Sequence, residues 1–229
     1  MITLNKLFKN SWQIYTKQFK TLFLITALTF LPIIIFQDLM EYYYENNLKT
    51  GEFSGIGLTL IALIVLTLFI SFAGKGAIIK SIDSNKGIRK SLEFGWNNLI
   101  SIIWVDILTS IFIIIGFILF IIPGIMFSVW YAFALMVLLL DNKKGWQALK
   151  QSKELTRGKW QGIFIRLILI YIILIAINVA LSTISNLVSD NKIVINAIFY
   201  VTMLLFTPFI FSYTYVIYKN LKGGTHNGK

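Results

Sequence analysis

The sequence predicts an all-α polytopic membrane protein with six transmembrane helices, and three observations predict it. Of the 229 residues, 57% are hydrophobic and only 14% charged, too little charge to cover a water-soluble domain, where about 25% is usual. The apolar residues form long runs without polar alternation, which argues against both a disordered chain and a membrane β-barrel. Positive charge is sorted along the chain: nineteen of the 21 Lys and Arg fall in alternate connections, and only Lys49 and Lys192 fall in the others. The net charge of +11 and pI of about 9.7 suit nucleic acid by charge alone, but the apolar runs point to a membrane and no nucleic-acid partner is expected.

Residues 4–20 come first. On a helical wheel Leu4, Leu7, Phe8, Ser11, Trp12, Ile14, Tyr15 and Phe19 share one face, and Lys6, Lys9, Lys17 and Lys20 the other. This is the pattern of an interfacial helix with rings at the acyl boundary and ammonium groups toward anionic headgroups. It lacks a short apolar core with a small-residue cleavage site, so the first span is expected to act as an uncleaved anchor. About 20 apolar residues cross the hydrocarbon. Residues 21–40 give the first span and 56–73 the second. The loop between them, 37–55, holds Asp38, Glu41, Tyr42, Tyr43, Tyr44 and Glu45. Carboxylates can hold a hard cation, but ligand-loop spacing is absent and the tyrosines suit an aromatic belt, so no metal is expected.

A basic connection follows, in which Ile88, Ser91, Leu92, Phe94 and Leu99 oppose Lys86, Arg89, Lys90 and Glu93. Residues 99–140 contain one charge, Asp106. As helix they would run about 63 Å, enough for two spans and too long for one. Pro123-Gly124 is the expected hairpin turn, since Pro lacks an N–H and Gly permits reversal. That leaves 125–140 as a short fourth span. In the next connection Ala148, Leu149, Ser152, Leu155 and Trp160 oppose Lys150, Lys153, Glu154 and Arg157. Residues 160–181 form the fifth span, interrupted by Arg166, and 193–217 the sixth, with Pro208 inside it.

Short loops rich in Lys and Arg stay in the cytoplasm, so both termini are expected there. The three basic segments share a spacing of an apolar residue, Ser and two further apolar residues. It reads Phe8, Ser11, Ile14, Phe19; Ile88, Ser91, Phe94, Leu99; and Leu149, Ser152, Leu155, Trp160. Each precedes a pair of spans. The single transmembrane domain, 1–229, therefore reads as three amphipathic-helix-plus-hairpin units, 2–80, 84–141 and 143–219, with 220–229 as a flexible tail. Independent juxtamembrane helices would produce part of the same pattern.

The ionisable residues inside spans are functional candidates, because embedding a charge is costly. Asp106 and Arg166 both lie about 10 Å in from the cytoplasmic side, and an intramembrane ion pair between them would neutralise both. Arg166 snorkelling alone, or a substrate or proton pathway, are the alternatives. Lys75, in Ala-Gly-Lys-Gly-Ala, reads as a snorkelling lysine rather than an anion site. There are no cysteines, and the one histidine, His226, sits in the tail. No G-x-S-x-G, H-E-x-x-H or Walker loop occurs, and the longest polar segments have 19 residues, so no enzyme activity and no cofactor are expected.

From Ile118 onward the chain reads Ile-Ile-Pro-Gly-Ile, then Trp130, Asp141, Gly145, Ala148-Leu149, Ser152, Leu155-Thr156, Gly158 and Trp160. This resembles the YciC-like family of bacterial inner-membrane proteins, and the related membrane domain attached to some glycerophosphodiester phosphodiesterases. The resemblance is strongest over 99–166 and implies fold and location only; no catalytic residues carry over. The functional expectation is a non-enzymatic protein of the bacterial plasma membrane. Its basic faces (Lys6, Lys9, Lys17, Lys86, Arg89, Lys90, Lys150, Lys153 and Arg157) would bind anionic membrane lipids or a membrane-protein partner, at about 1 kcal/mol per cation. A small permease and an accessory domain for a lipid-metabolising enzyme are the alternatives, and the same charges are also what topology alone requires.

Overall fold

The computed structural model describes residues 2–43, 57–188 and 192–226, and every regular element among them is helical. In order these are α1 (Leu4–Lys17), α2 (Phe19–Tyr43), α3 (Gly57–Ser84), α4 (Ile88–Asn97), α5 (Leu99–Leu119), α6 (Ile121–Tyr131), α7 (Ala134–Asp141), α8 (Trp146–Thr156), α9 (Trp160–Val188) and α10 (Lys192–His226). Six stretches are long and apolar enough to cross a membrane: α2, α3, α5, α6 with α7, α9 and α10. The protein is an all-α polytopic membrane protein.

The long helices are apolar nearly all round, which suits helices solvated by lipid outside and by one another inside. Ile35, Ile61, Ile172 and Ile175 face outward, while Ile25, Ile78, Ile102, Ile163 and Ile170 are buried. The short helices α1, α4 and α8 differ. Each buries one side, Leu7, Ser11 and Tyr15 on α1, Ser91 and Gly95 on α4, and Ala148, Leu149, Ser152 and Leu155 on α8, and leaves its lysines exposed. α4 packs on α3, α8 on α6 and α7, and α1 on α10, the last helix of the chain. The three short helices thus gather at one end of the bundle, called here the basic end. A single residue, Gln18 or Asn98, joins α1 to α2 and α4 to α5. α3 and α7 end at Asn85 and Asn142, both with positive φ, a left-handed conformation that asparagine tolerates at a helix C-terminus.

Gly95 shows how closely these helices approach. A Cβ on it would overlap the Ala73 carbonyl of α3, so only glycine lets α4 seat there.

Three boundaries differ from expectation. The α5–α6 reversal is at Phe120, not at Pro123-Gly124. Phe120 is extended (φ −167°, ψ 160°), and its carbonyl accepts the Gly124 N–H at 3.2 Å. Pro123 lies in the first turn of α6, where its missing N–H has no helical partner to lose. Gly124 serves packing: a Cβ on Gly116 would stand 2.9 Å from the Gly124 Cα, and one on Gly124 would overlap the Phe117 ring. Second, the fourth span is longer than expected and broken, α6 giving way to α7 at Ala132–Phe133. Third, two helices outrun their apolar runs. α3 continues to Ser84, carrying Lys75 and Lys80 on its last turns, and α10 runs through the expected tail to His226, with Leu221 buried.

Candidate functional site: a basic, aromatic hollow beneath the eighth helix

The intramembrane charges pair differently from the expected clamp. Asp106 Oδ2 accepts from Lys75 Nζ at 2.6 Å, and Lys75 also lies 4.8 Å from the Phe72 ring centroid. The reason is placement: α3 packs beside α5, whereas Arg166 is on α9, which packs on α10 and α6. Arg166 donates to the Gly162 carbonyl at 2.6 Å and to the Ile2 carbonyl at 2.9 Å, and its own carbonyl accepts the Tyr213 hydroxyl at 3.0 Å. The Ile2 N–H in turn donates to Asn220 Oδ1 at 3.2 Å. Arg166 therefore fastens the segment before α1 to α9.

Where α3, α7 and α10 end together, a polar cluster escapes the sequence reading. Asp83 accepts from Tyr215 at 2.9 Å and pairs with Lys219 at 3.1 Å. Asp141 pairs with Lys222 and accepts from Gln151 at 2.7 Å. In sequence these lysines look like topology charges only. The signal was their spacing of three on one helix, which lets one side of α10 reach two neighbours.

The three serines of the shared spacing, Ser11, Ser91 and Ser152, are all fully buried. Ser11 and Ser91 donate to carbonyls of their own helices, Leu7 and Gly87, each at 2.8 Å, in the usual back-bonding pattern. Ser152 does something else. It donates to the Trp130 carbonyl at 2.7 Å and accepts the Phe133 N–H at 3.3 Å, satisfying both sides of the α6–α7 break. The remaining residues of the spacing range from buried Leu149 and Leu155 through half-buried Phe8, Ile14, Ile88, Phe94, Leu99 and Trp160 to exposed Phe19.

All nine candidate lipid-binding cations are exposed. Lys6, Lys9 and Lys17 project from α1, and Lys86, Arg89 and Lys90 from α4 and the residues before it. Lys150, Lys153 and Arg157 line a hollow. It has a volume of about 670 Å³ and lies against α8, walled by Trp130, Tyr131, Trp146 and Trp160, with Leu149 and Gly158 completing it. Glu154 is the one carboxylate. Lys153 Nζ sits 4.2 Å from the Trp130 ring centroid, a cation–π distance that fixes the ammonium at the rim.

A second hollow, about 440 Å³, lies beside α4 and is lined by Leu28, Thr29, Ile70, Ala73, Leu92, Glu93, Trp96 and Asn97. Counted from the buried serine, Leu92, Glu93, Trp96 and Asn97 hold the positions that Lys153, Glu154, Arg157 and Gly158 hold on α8. Ala73 and Trp130 likewise lie equally far before Asn85 and Asn142. The two grooves match in register, and only that of α8 carries cations. On α1 the first of these positions is Trp12, packed on Phe209 at 6.0 Å. Burial raises the pKa of Tyr15, whose hydroxyl donates to the Leu205 carbonyl at 3.1 Å.

Asp38 accepts from Tyr200 at 2.9 Å; most of the carboxylate-and-tyrosine loop that follows lies outside the described residues. Among the described residues no three His, Cys, Asp or Glu side chains are grouped to hold a metal ion. Compared with known proteins, the chain matches no family model, no curated protein and no solved structure.

Proposed function

We propose that this is a non-enzymatic protein of the bacterial plasma membrane, of the YciC-like kind. In this reading its basic end faces the cytoplasm with both termini, and it binds anionic lipid there through short amphipathic helices that open three repeated units. The observation that carries the reading is the hollow beneath α8, where three cations and three indoles converge on one space. Indole and tyrosine rings favour the membrane interface, and lysine or arginine beside them adds attraction to anionic headgroups. The matched register of α4 and α8 and the shared burial of three serines support repetition. The Lys75–Asp106 pair, each charge answered by the other, weighs against a polar path through the bundle.

The natural absence of cysteine makes the orientation testable. Single cysteines in place of Lys9, Lys150 and Asp38 should divide cleanly under a membrane-impermeant maleimide. Asp38→Cys should react in intact cells, and the other two only after permeabilisation. The reverse division would overturn the orientation, and with it the access to the anionic inner leaflet.

A further inference from the structure

We propose that the hollow beneath α8 and the groove between α6 and α9 form one site for a single phosphate-bearing lipid, oriented headgroup to α8 and acyl chain to α9. This rests on the anionic-lipid reading above and adds a discrete, stoichiometric site to it. Four observations place it. The hollow and a second cavity, of about 390 Å³, share Trp160 in their walls. That second cavity is apolar except for Gln161, being walled by Ile122, Ile125, Phe164 and Ile165. A polar, cationic space beside an apolar one suits an amphiphile, and a soluble anion would use only the first.

The charge also fits. Lys150, Lys153 and Arg157 against Glu154 leave a surplus of two positive charges, of which a phosphate diester offsets one and a dianionic monoester both. Arg157, just past the end of α8, can offer its planar fork to two phosphate oxygens. Finally, the cations are not needed to build the groove. The groove beside α4 has Leu92 and Trp96 in their places and is still formed. Lys153 and Arg157 therefore mark a ligand that α4 does not take.

The test uses the full chain in nanodiscs of phosphatidylglycerol and phosphatidylcholine, with native mass spectrometry counting the phosphatidylglycerol retained. The wild type should keep one. Lys153→Gln with Arg157→Gln should weaken its retention by about tenfold or more. Ile125→Trp, which fills the acyl groove and leaves every charge in place, should also release it; Ile165→Trp, at an exposed position of the same groove, serves if that variant does not assemble. Lys143→Gln with Lys144→Gln, both exposed just before α8 but outside the hollow, should change nothing. Inorganic phosphate, added to the protein in detergent, should compete poorly.

Three results would overturn the site. Equal loss from the Lys143–Lys144 and α8 variants would make retention a property of surface charge, leaving the general reading intact. Full retention in both groove-filling variants, together with effective competition by inorganic phosphate, would make this a free-phosphate site. Retention indifferent to all nine cations would end both the site and the general reading.

Discussion

Ser152 and Ser11 are the same residue at the same place in the shared spacing, yet they differ in what depends on them. Ser11 repeats a bond that its own helix backbone already satisfies. Ser152 answers a carbonyl and an N–H that the α6–α7 break leaves free. Ser152→Ala should therefore lower stability by about 1–3 kcal/mol, the cost of stranding buried backbone groups. Ser11→Ala should cost only a few tenths of that, about 0.5 kcal/mol or less. Thermal melts in detergent would compare them; equal losses would contradict the bridging role. The intramembrane charges argue the same way. Lys75→Met strands the Asp106 carboxylate and should lower stability by about 2 kcal/mol, since the pair is only partly buried. Adding Asp106→Leu should recover most of the loss. Asp106→Arg, by contrast, should gain nothing from Arg166→Asp, because those two side chains serve different neighbours. That Asp106 and Arg166 lie inside spans is legible in the sequence, since it follows from counting along a helix. Their partners depend on which helices stand side by side, and that is decided by side-chain packing far apart in the chain.

The elements show what hydropathy can and cannot convey. All six spans are legible because lipid demands long apolar runs. Their ends are less so, because a helix continues past the hydrocarbon wherever it finds packing, as α3 does to Ser84 and α10 to His226. The α5–α6 reversal lies three residues before Pro123-Gly124, a pair that marks turns in water. Here an extended Phe120 breaks the helix, Pro123 restarts it, and Gly124 admits α5. Pro123→Ala should therefore be tolerated at under about 1 kcal/mol. A large loss in the melt would restore the turn to Pro123. Gly95→Ala should be far worse, about 3 kcal/mol or beyond, because its methyl would meet the backbone of α3, which cannot step aside as a flexible side chain can. The break between α6 and α7 left no mark at Tyr131-Ala132-Phe133. It is held open by a serine on another helix, so no local signal announces it.

At the scale of the whole molecule, the chain closes on itself. α1 lies on α10 as α4 lies on α3 and α8 on α6 and α7, and Arg166, Asn220 and Tyr15 fasten that closure. α10 also ties the other two helix ends through Lys219–Asp83 and Lys222–Asp141. The outcome is an end of the bundle whose short helices expose their lysines but whose grooves are unequal. Sequence alone presents the three basic segments as equivalents, because charge and spacing recur in each. Their difference lies in what faces each helix across the groove, and that is a property of the assembled bundle. The central claim is that anionic lipid is drawn to the basic end at α8. Three of the six tryptophans line that hollow, so their fluorescence tests it most directly. Quenching in nanodiscs should be compared between brominated phosphatidylglycerol and brominated phosphatidylcholine, for the wild type and for Lys150→Gln with Lys153→Gln and Arg157→Gln. The account predicts stronger quenching by the anionic lipid in the wild type and a smaller difference in the variant. Equal quenching by the two lipids in the wild type would contradict it.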